Sequence, residues 1–336
     1  MIKNLLQISR DVASSFELVQ GAGGNTSVKC DDGRMWIKAS GSLLSDLNEE
    51  KGFTVLDYGK IVEHFCGGFV FKANDHDLED ETNAFIHTLA NGMSKPSMET
   101  SMHAFLGKYV VHTHAIYLNV LLCSKGGEDR TRNVFARKFD GLHWVDYVNP
   151  GYNLGIAIAD LNLNVRDLNV IFLANHGLIV SGDSLGAVLG LSKEINDIAA
   201  SDLNLRIEMD DLETVEEDLY FSRNKLFFQF DDAWLKKNLS RSIFPDFVVY
   251  CLGKIAFCDS LEELKGSCDK LIFCVKGEGV YYRANRRKAQ AMHELLFTQL
   301  FVISSVEAFG EVNFLDKNDE NYITNMTMEK YRRSRV

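Results

Sequence analysis

The sequence predicts an α/β (α+β) chain: a mixed or antiparallel sheet with helices against it, and a smaller α/β unit towards the C-terminal end. Three observations carry this. Asp32-Gly33 sits between two short alternating segments, which is a hairpin signal. Single apolar runs such as "VVHTHA" and "NVIFLANHGLIVSG" are separated by stretches of helical periodicity. The composition then shifts near residue 207, where "EMDDLETVEEDLY" carries seven acids between 208 and 218.

Taken in order, residues 2 to 18 read as an amphipathic helix, with apolar residues at 2, 5, 6, 8, 12, 16 and 19. The glycine-rich "GAGGNTS" leads into the hairpin. A helix is expected around 79 to 90, and Pro96-Ser97 opens another that runs to about Leu106. Val110 to Ala115 reads as a strand. "NVIFLANHGLIVSG" reads as a strand, a break at Asn175-His176-Gly177 and a short extended piece, followed by a helix from about 183 to 200. The acidic stretch reads as a solvated helix or connector. Beyond it "DFVVYCL" and "LIFCVKGEGVYYR" read as strands, the latter turning at Lys276-Gly277-Glu278-Gly279, and a long helix spans about 284 to 306. The expected division is a domain over 1–206 and a smaller one over 207–336.

The chain has 336 residues, of which 46% are apolar and 25% charged, so it can bury a sizeable core. Its formal charge of -11 argues against a nucleic-acid partner, which needs a basic face, and for a small molecule held in a locally basic pocket. "MIKNLLQISRDVASSF" lacks the apolar core of a signal peptide, and no run of about 18 apolar residues suggests a membrane span. The seven cysteines form no CxxC pair, so a cytoplasmic location is expected.

The chemistry-bearing residues begin with the histidines. In a strand His112 and His114 point the same way. Two imidazoles on one buried face are either packed side chains whose nitrogens all find partners or ligands aimed at one metal ion. His176, beside a glycine at the end of an apolar strand, reads as a turn residue or a third ligand. Three histidines would leave an open position on zinc, which acts there as a Lewis acid toward a carbonyl oxygen. Glu99 is either an acid favoured at a helix start or a base that removes a proton next to a carbonyl. "GAGGNTS" lacks the third glycine of a dinucleotide fingerprint and precedes a hairpin. It reads as a glycine turn or as an anion nest, with Asn25, Ser40 and Ser97 as donors and Lys38 as a positive charge.

Together "GNTS", "KASGS", "KPSMETSMHAFL", "VVHTHAIYLNVL" and "LANHGLIVSGDS", in this order, resemble the class II aldolase/adducin family over about residues 1 to 205. The resemblance implies a central, mostly antiparallel sheet sandwiched by helices. It also implies a zinc-dependent aldolase that cleaves or forms a sugar phosphate, or a related hydroxy-carbonyl compound, through a metal-stabilised enediolate. Zn²⁺ would lie on His112, His114 and His176, with Glu99 as acid/base and Asn25, Ser40, Gly41 and Ser97 around a phosphate. A homo-tetramer is implied, with Tyr147 resembling a tyrosine sent into the neighbouring subunit's site. Epimerases, dehydratases and decarboxylases share the scaffold, as does non-catalytic adducin, whose relatives lose the ligand histidines. Met98 departs from the short fuculose-type pattern, where a second serine precedes the glutamate, so one phosphate donor is missing. "PSMET", "KASGS", "PDFVVY" and "VEAFG" look more like the aldolase part and connecting region of the long, bifunctional rhamnulose-phosphate aldolases.

Overall fold

A computed structural model describes residues 1–67, 75–91, 94–135, 138–139, 142–266 and 269–335. The first sheet contains β1 (Asn25–Lys29), β2 (Arg34–Lys38), β3 (Phe53–Asp57), β4 (Tyr109–Thr113), β5 (Leu142–Val145), β6 (Asn169–Leu173) and β7 (Gly177–Gly182). Their spatial order is β3-β2-β1-β4-β7-β6-β5. Only β5 and β6 run parallel; the other neighbours are antiparallel. The hairpin turns at Gly33, whose φ of 84° suits a residue without a Cβ.

Helices cover both faces, because β4 is buried on both sides. Val111 packs with side chains of the helices Ile116–Leu122 and Leu185–Asp202. Val110 packs on the other face with Met102, Leu154, Ile171 and Ile179. Burying one such aliphatic side chain contributes about 1.5–3 kcal/mol. A one-residue slip would exchange Val110 and His112 for Val111 and Thr113, so this two-sided packing fixes the face on which His112 lies.

The second sheet contains β8 (Glu213–Glu216), β9 (Leu219–Ser222), β10 (Ile255–Cys258), β11 (Ile272–Val275) and β12 (Gly279–Arg283), in the order β10-β11-β12-β9-β8. The long helix Arg286–Glu307 touches β9 and β12 on one side and the helix Ile116–Leu122 on the other. One cluster of buried side chains therefore includes members from both sheets, from Leu5 to Ile323. Two closing helices, Lys317–Asn325 and Thr327–Arg335, pack on the short helix Pro245–Tyr250. None of the described helices is long and apolar enough to cross a membrane.

Several elements differ from the sequence expectation. The first helix stops at Ala13, where the Ser14 hydroxyl donates to the Asp11 carbonyl and competes with the helical pattern. The helix expected from Ser97 is confined to Thr100–Ala104, because residues 97–99 form a turn. The strand with the histidine pair ends at Thr113, so His114 lies just past it. The acidic stretch forms no helix; it contains the exposed edge strand β8. "DFVVYCL" is helical rather than extended: Pro245 occupies the first turn with Asp246 beside it, and all six residues of the helix are buried. A short apolar run buried all round has no period that separates strand from helix.

Candidate metal centre and active site

Antiparallel pairing assembles the site. Register sets Asn25 of β1 opposite His112 of β4, and His112 opposite Ile179 of β7. The tight turn between β6 and β7 then brings His176 back to the end of β4. Asn175 makes this turn with φ at 53° and donates its amide to the carbonyls of Ile243 (2.9 Å) and Asn313 (2.6 Å). Gly177 is obligatory for a different reason: a Cβ there would lie 2.1 Å from the Thr113 carbonyl oxygen.

The three imidazoles converge. Ring centroids are 4.9 Å apart for His112–His114, 4.9 Å for His112–His176 and 5.0 Å for His114–His176. One ligand atom from each, with one from Glu99, all lie within 4.8 Å of one another. Two of the rings are fixed from behind. His112 donates Nδ1–H to the Leu178 carbonyl at 3.0 Å, and His114 donates Nδ1–H to Asp246 Oδ2 at 2.8 Å. With Nδ1 of both rings so engaged, their Nε2 atoms face each other at 3.1 Å, and a ring without a proton there presents a bare lone pair. Glu99 Oε1 lies 3.3 Å from His112 Nε2 and 3.6 Å from His176 Nε2. So many acceptors meeting without donors call for a cation. Tetrahedral zinc with Zn–N bonds of about 2.0–2.1 Å spaces its ligand atoms by roughly 3.3 Å, close to what these side chains present. The cluster is able to hold a metal ion.

The electrostatics agree. Burial lowers His176 to about 4 despite the Glu99 carboxylate beside it, so this ring is neutral at physiological pH. Burial by itself would raise the Glu99 carboxyl; positive charge and donated hydrogen bonds from His112 and His176 lower it well below the usual carboxylate range, so an ionised Glu99 goes with a positive charge among these rings, a role a metal ion would fill.

Asn25 and Ser97 hold Glu99. The Asn25 amide donates to Ser97 Oγ at 2.8 Å and to Glu99 Oε2 at 3.2 Å, and Ser97 Oγ also accepts from the Glu99 backbone N–H at 3.2 Å. Lys38 lies elsewhere in the network. Its buried ammonium donates to the Ala22 and Gly24 carbonyls at 2.9 and 2.8 Å, which fastens the glycine loop, and burial lowers it to about 8. Ser40 is half-buried, with its backbone N–H on the Lys95 carbonyl at 2.9 Å. Gly41, with φ at 73°, lies beneath Arg335: a Cβ at Gly41 would be 2.8 Å from the Arg335 Cβ. Tyr147 donates its hydroxyl to Asn149 Oδ1 of its own chain at 2.9 Å. A cavity of about 900 Å³ lined by Lys29, Tyr58, Phe65 and Arg166 shares no residue with the cluster and has no comparable convergence of ligand atoms.

The sequence reading passed over Asp246, Arg332 and Glu329. Asp246 accepts from His114 with one oxygen and from the Arg332 guanidinium with the other, and Arg332 also donates to Glu329 at 3.1 Å. The sequence signal for Asp246 is "FPDF": proline followed by an acid marks a helix start and conflicts with a strand there.

The chain is similar to several known proteins. A Bacillus subtilis protein named "Uncharacterized oxidoreductase YuxG" is 27% identical over 195 residues, which are 54% of this chain but only 27% of that protein's length. A protein of Pectobacterium atrosepticum named 3-oxo-tetronate 4-phosphate decarboxylase is 27% identical over 192 residues, 53% of this chain and 73% of its own. Among solved structures, the N-terminal Class II Aldolase domain of a conserved protein from Thermoplasma acidophilum has a TM-score of 0.51 at 24% identity, covering 60% of this chain and 93% of that one, a similarity of fold. The family profile described as Class II Aldolase and Adducin N-terminal domain matches residues 3–202. That span contains Asn25, Ser97, Glu99 and all three histidines, and the chain belongs to the class II aldolase and adducin family.

Proposed function

We propose that the protein is a zinc-dependent class II aldolase, a lyase acting on a small anionic hydroxy-carbonyl compound such as a sugar phosphate. The observation that carries this reading is the meeting of bare His112 and His114 Nε2 atoms with the Glu99 carboxylate at ligand spacing. His112, His114 and His176 hold the metal; bound there, zinc supplies Lewis-acid polarisation of the substrate carbonyl. Glu99 takes the proton from the carbon next to that carbonyl. The electron pair left behind attacks an aldehyde carbon, and the new alkoxide takes up a proton. Asn25 and Ser97 keep the carboxylate aimed, so little reorganisation is needed when the proton moves.

The test is proton exchange. With dihydroxyacetone phosphate in heavy water and no aldehyde present, the enzyme is expected to wash deuterium into the hydroxymethyl carbon. The exchange should require both zinc and Glu99. No exchange with any ketose phosphate or hydroxy-ketone would overturn the aldolase reading.

A decarboxylase is the second reading, favoured by the relative named 3-oxo-tetronate 4-phosphate decarboxylase. It uses the same stabilised charge next to a carbonyl, generated by loss of carbon dioxide instead of a proton. Carbon dioxide released from a phosphorylated 3-oxo acid, without deuterium exchange on a ketose phosphate, would select it.

A further inference from the structure

Behind His114, the side chain that holds its Nδ1 comes from outside the matched family span. Asp246 lies on the helix Pro245–Tyr250, whereas the family profile ends at residue 202. Its side chain is only 2% exposed; Oδ2 accepts from His114 and Oδ1 from Arg332. Arg332 stands on the final helix, Thr327–Arg335, and is itself clamped by Glu329 Oε1 at 3.1 Å and the Tyr250 hydroxyl at 3.4 Å. A chain of contacts therefore runs from the helix Thr327–Arg335 to the candidate metal centre.

Two further contacts fit the sequence to this arrangement. A Cβ at Gly23 would lie 2.5 Å from Asp246 Oδ2 and 2.7 Å from His114 Nδ1, so this glycine in "GAGGNTS" is the clearance that lets the pair form. Met98, next to Glu99, packs with Tyr322, Met326 and Met328 in a buried cluster of its own. The residue at the place of a second serine is thus a docking point for the C-terminal segment. Tyr331 lies under the Lys95 ammonium at 4.7 Å and Arg335 lies over Gly41, so the same helix spans the loop next to the site.

We propose that Asp246 and Arg332 are positioning residues of the metal centre, with Asp246 fixing His114 so that Nε2 faces the ion and Arg332 fixing Asp246, so that docking of the C-terminal helix and metal binding are coupled. The physical reason is that a ligand imidazole holds a metal well only when its other nitrogen has an acceptor that fixes tautomer and ring orientation. A carboxylate buried this deeply is itself held only by a partner such as a guanidinium. The coupling is reciprocal: if the docked helix favours the metal, the metal favours the docked helix.

This inference rests on the metal-centre reading above, and zinc affinity measured by competition with a chromophoric chelator separates the two. Wild-type protein that binds no zinc would overturn both. Wild-type binding with Asp246→Asn, Asp246→Ala and Arg332→Gln bound equally tightly would overturn only this inference. The expected result is a 10–100-fold weaker zinc affinity for the Asp246 variants, the usual cost of losing an outer partner of a ligand. Arg332→Gln should weaken binding by roughly tenfold, with partial recovery in Arg332→Lys, which restores charge but not the planar fork. The visible spectrum of bound cobalt(II) should change in Asp246→Asn, which a purely structural ion pair would not cause. Should these variants fail to fold, hydrogen exchange on the wild type decides. Zinc should slow exchange of the amides of 327–335, and exchange unaffected by zinc would overturn the coupling.

Discussion

Glu99 occupies a position where the helix start and the catalytic base make opposite predictions. It precedes the helix Thr100–Ala104 but makes no side-chain capping bond to it; its oxygens face Asn25, His112 and His176 instead. Glu99→Gln is expected to fold and keep its metal while losing about 10²–10⁴-fold in rate, the usual contribution of acid–base catalysis. A helix-start acid would instead cost under about 1 kcal/mol of stability and leave turnover intact. Glu79 is a second buried acid with a different role. It accepts from the Tyr152 backbone N–H and the Asn83 amide, both at 2.7 Å, and burial raises it to about 7. Because the folded state holds this proton more tightly than the unfolded one, its contribution is full below the unfolded value near 4.5 and is lost as pH rises through 7. Wild-type stability relative to Glu79→Gln should therefore fall by on the order of 3 kcal/mol between pH 4.5 and 8, as read from urea midpoints. A pH-independent difference would contradict the assignment.

At the scale of elements, the turn between β6 and β7 leaves no room for a side chain at Gly177. Gly177→Ala sets a Cβ against the Thr113 carbonyl and must push β7 away from β4, which moves His176 relative to His112. The expected outcome is loss of bound zinc at a temperature where the variant remains folded by circular dichroism. Retention of wild-type zinc affinity would show that His176 does not depend on this turn. The elements that were legible in the sequence are those whose signal is local. The face of His112 follows from strand alternation, although the strand ends before His114; the Asn175-His176-Gly177 break follows from its turn residues, and the long helix Arg286–Glu307 from its periodicity. What escaped depends on tertiary partners. Pro245–Tyr250 is buried all round and carries no period. Lys38 is adjacent to the predicted anion loop in sequence, but its long stem turns under the glycine turn to satisfy two carbonyls, a choice set by the fold of residues 20–24. Arg332 finds Asp246 only after the C-terminal helices dock, at a separation of 86 residues.

At the scale of the molecule, the two sheets share one buried cluster, and the last helices lie against both Met98 and Asp246. The resemblance to tetrameric aldolases leads us to expect a light-scattering mass four times that of the chain. A monomer would leave Tyr147 serving only its own Asn149 and would remove it from any shared site. Whether His112, His114 and His176 hold one zinc ion beside Glu99 is decided by anomalous diffraction at the zinc edge from crystals of the purified protein. A single strong peak is expected about 2.0–2.1 Å from the Nε2 atoms of all three histidines. Zinc-loaded protein with no peak among these rings, or an active enzyme whose only peak lies elsewhere, would contradict it.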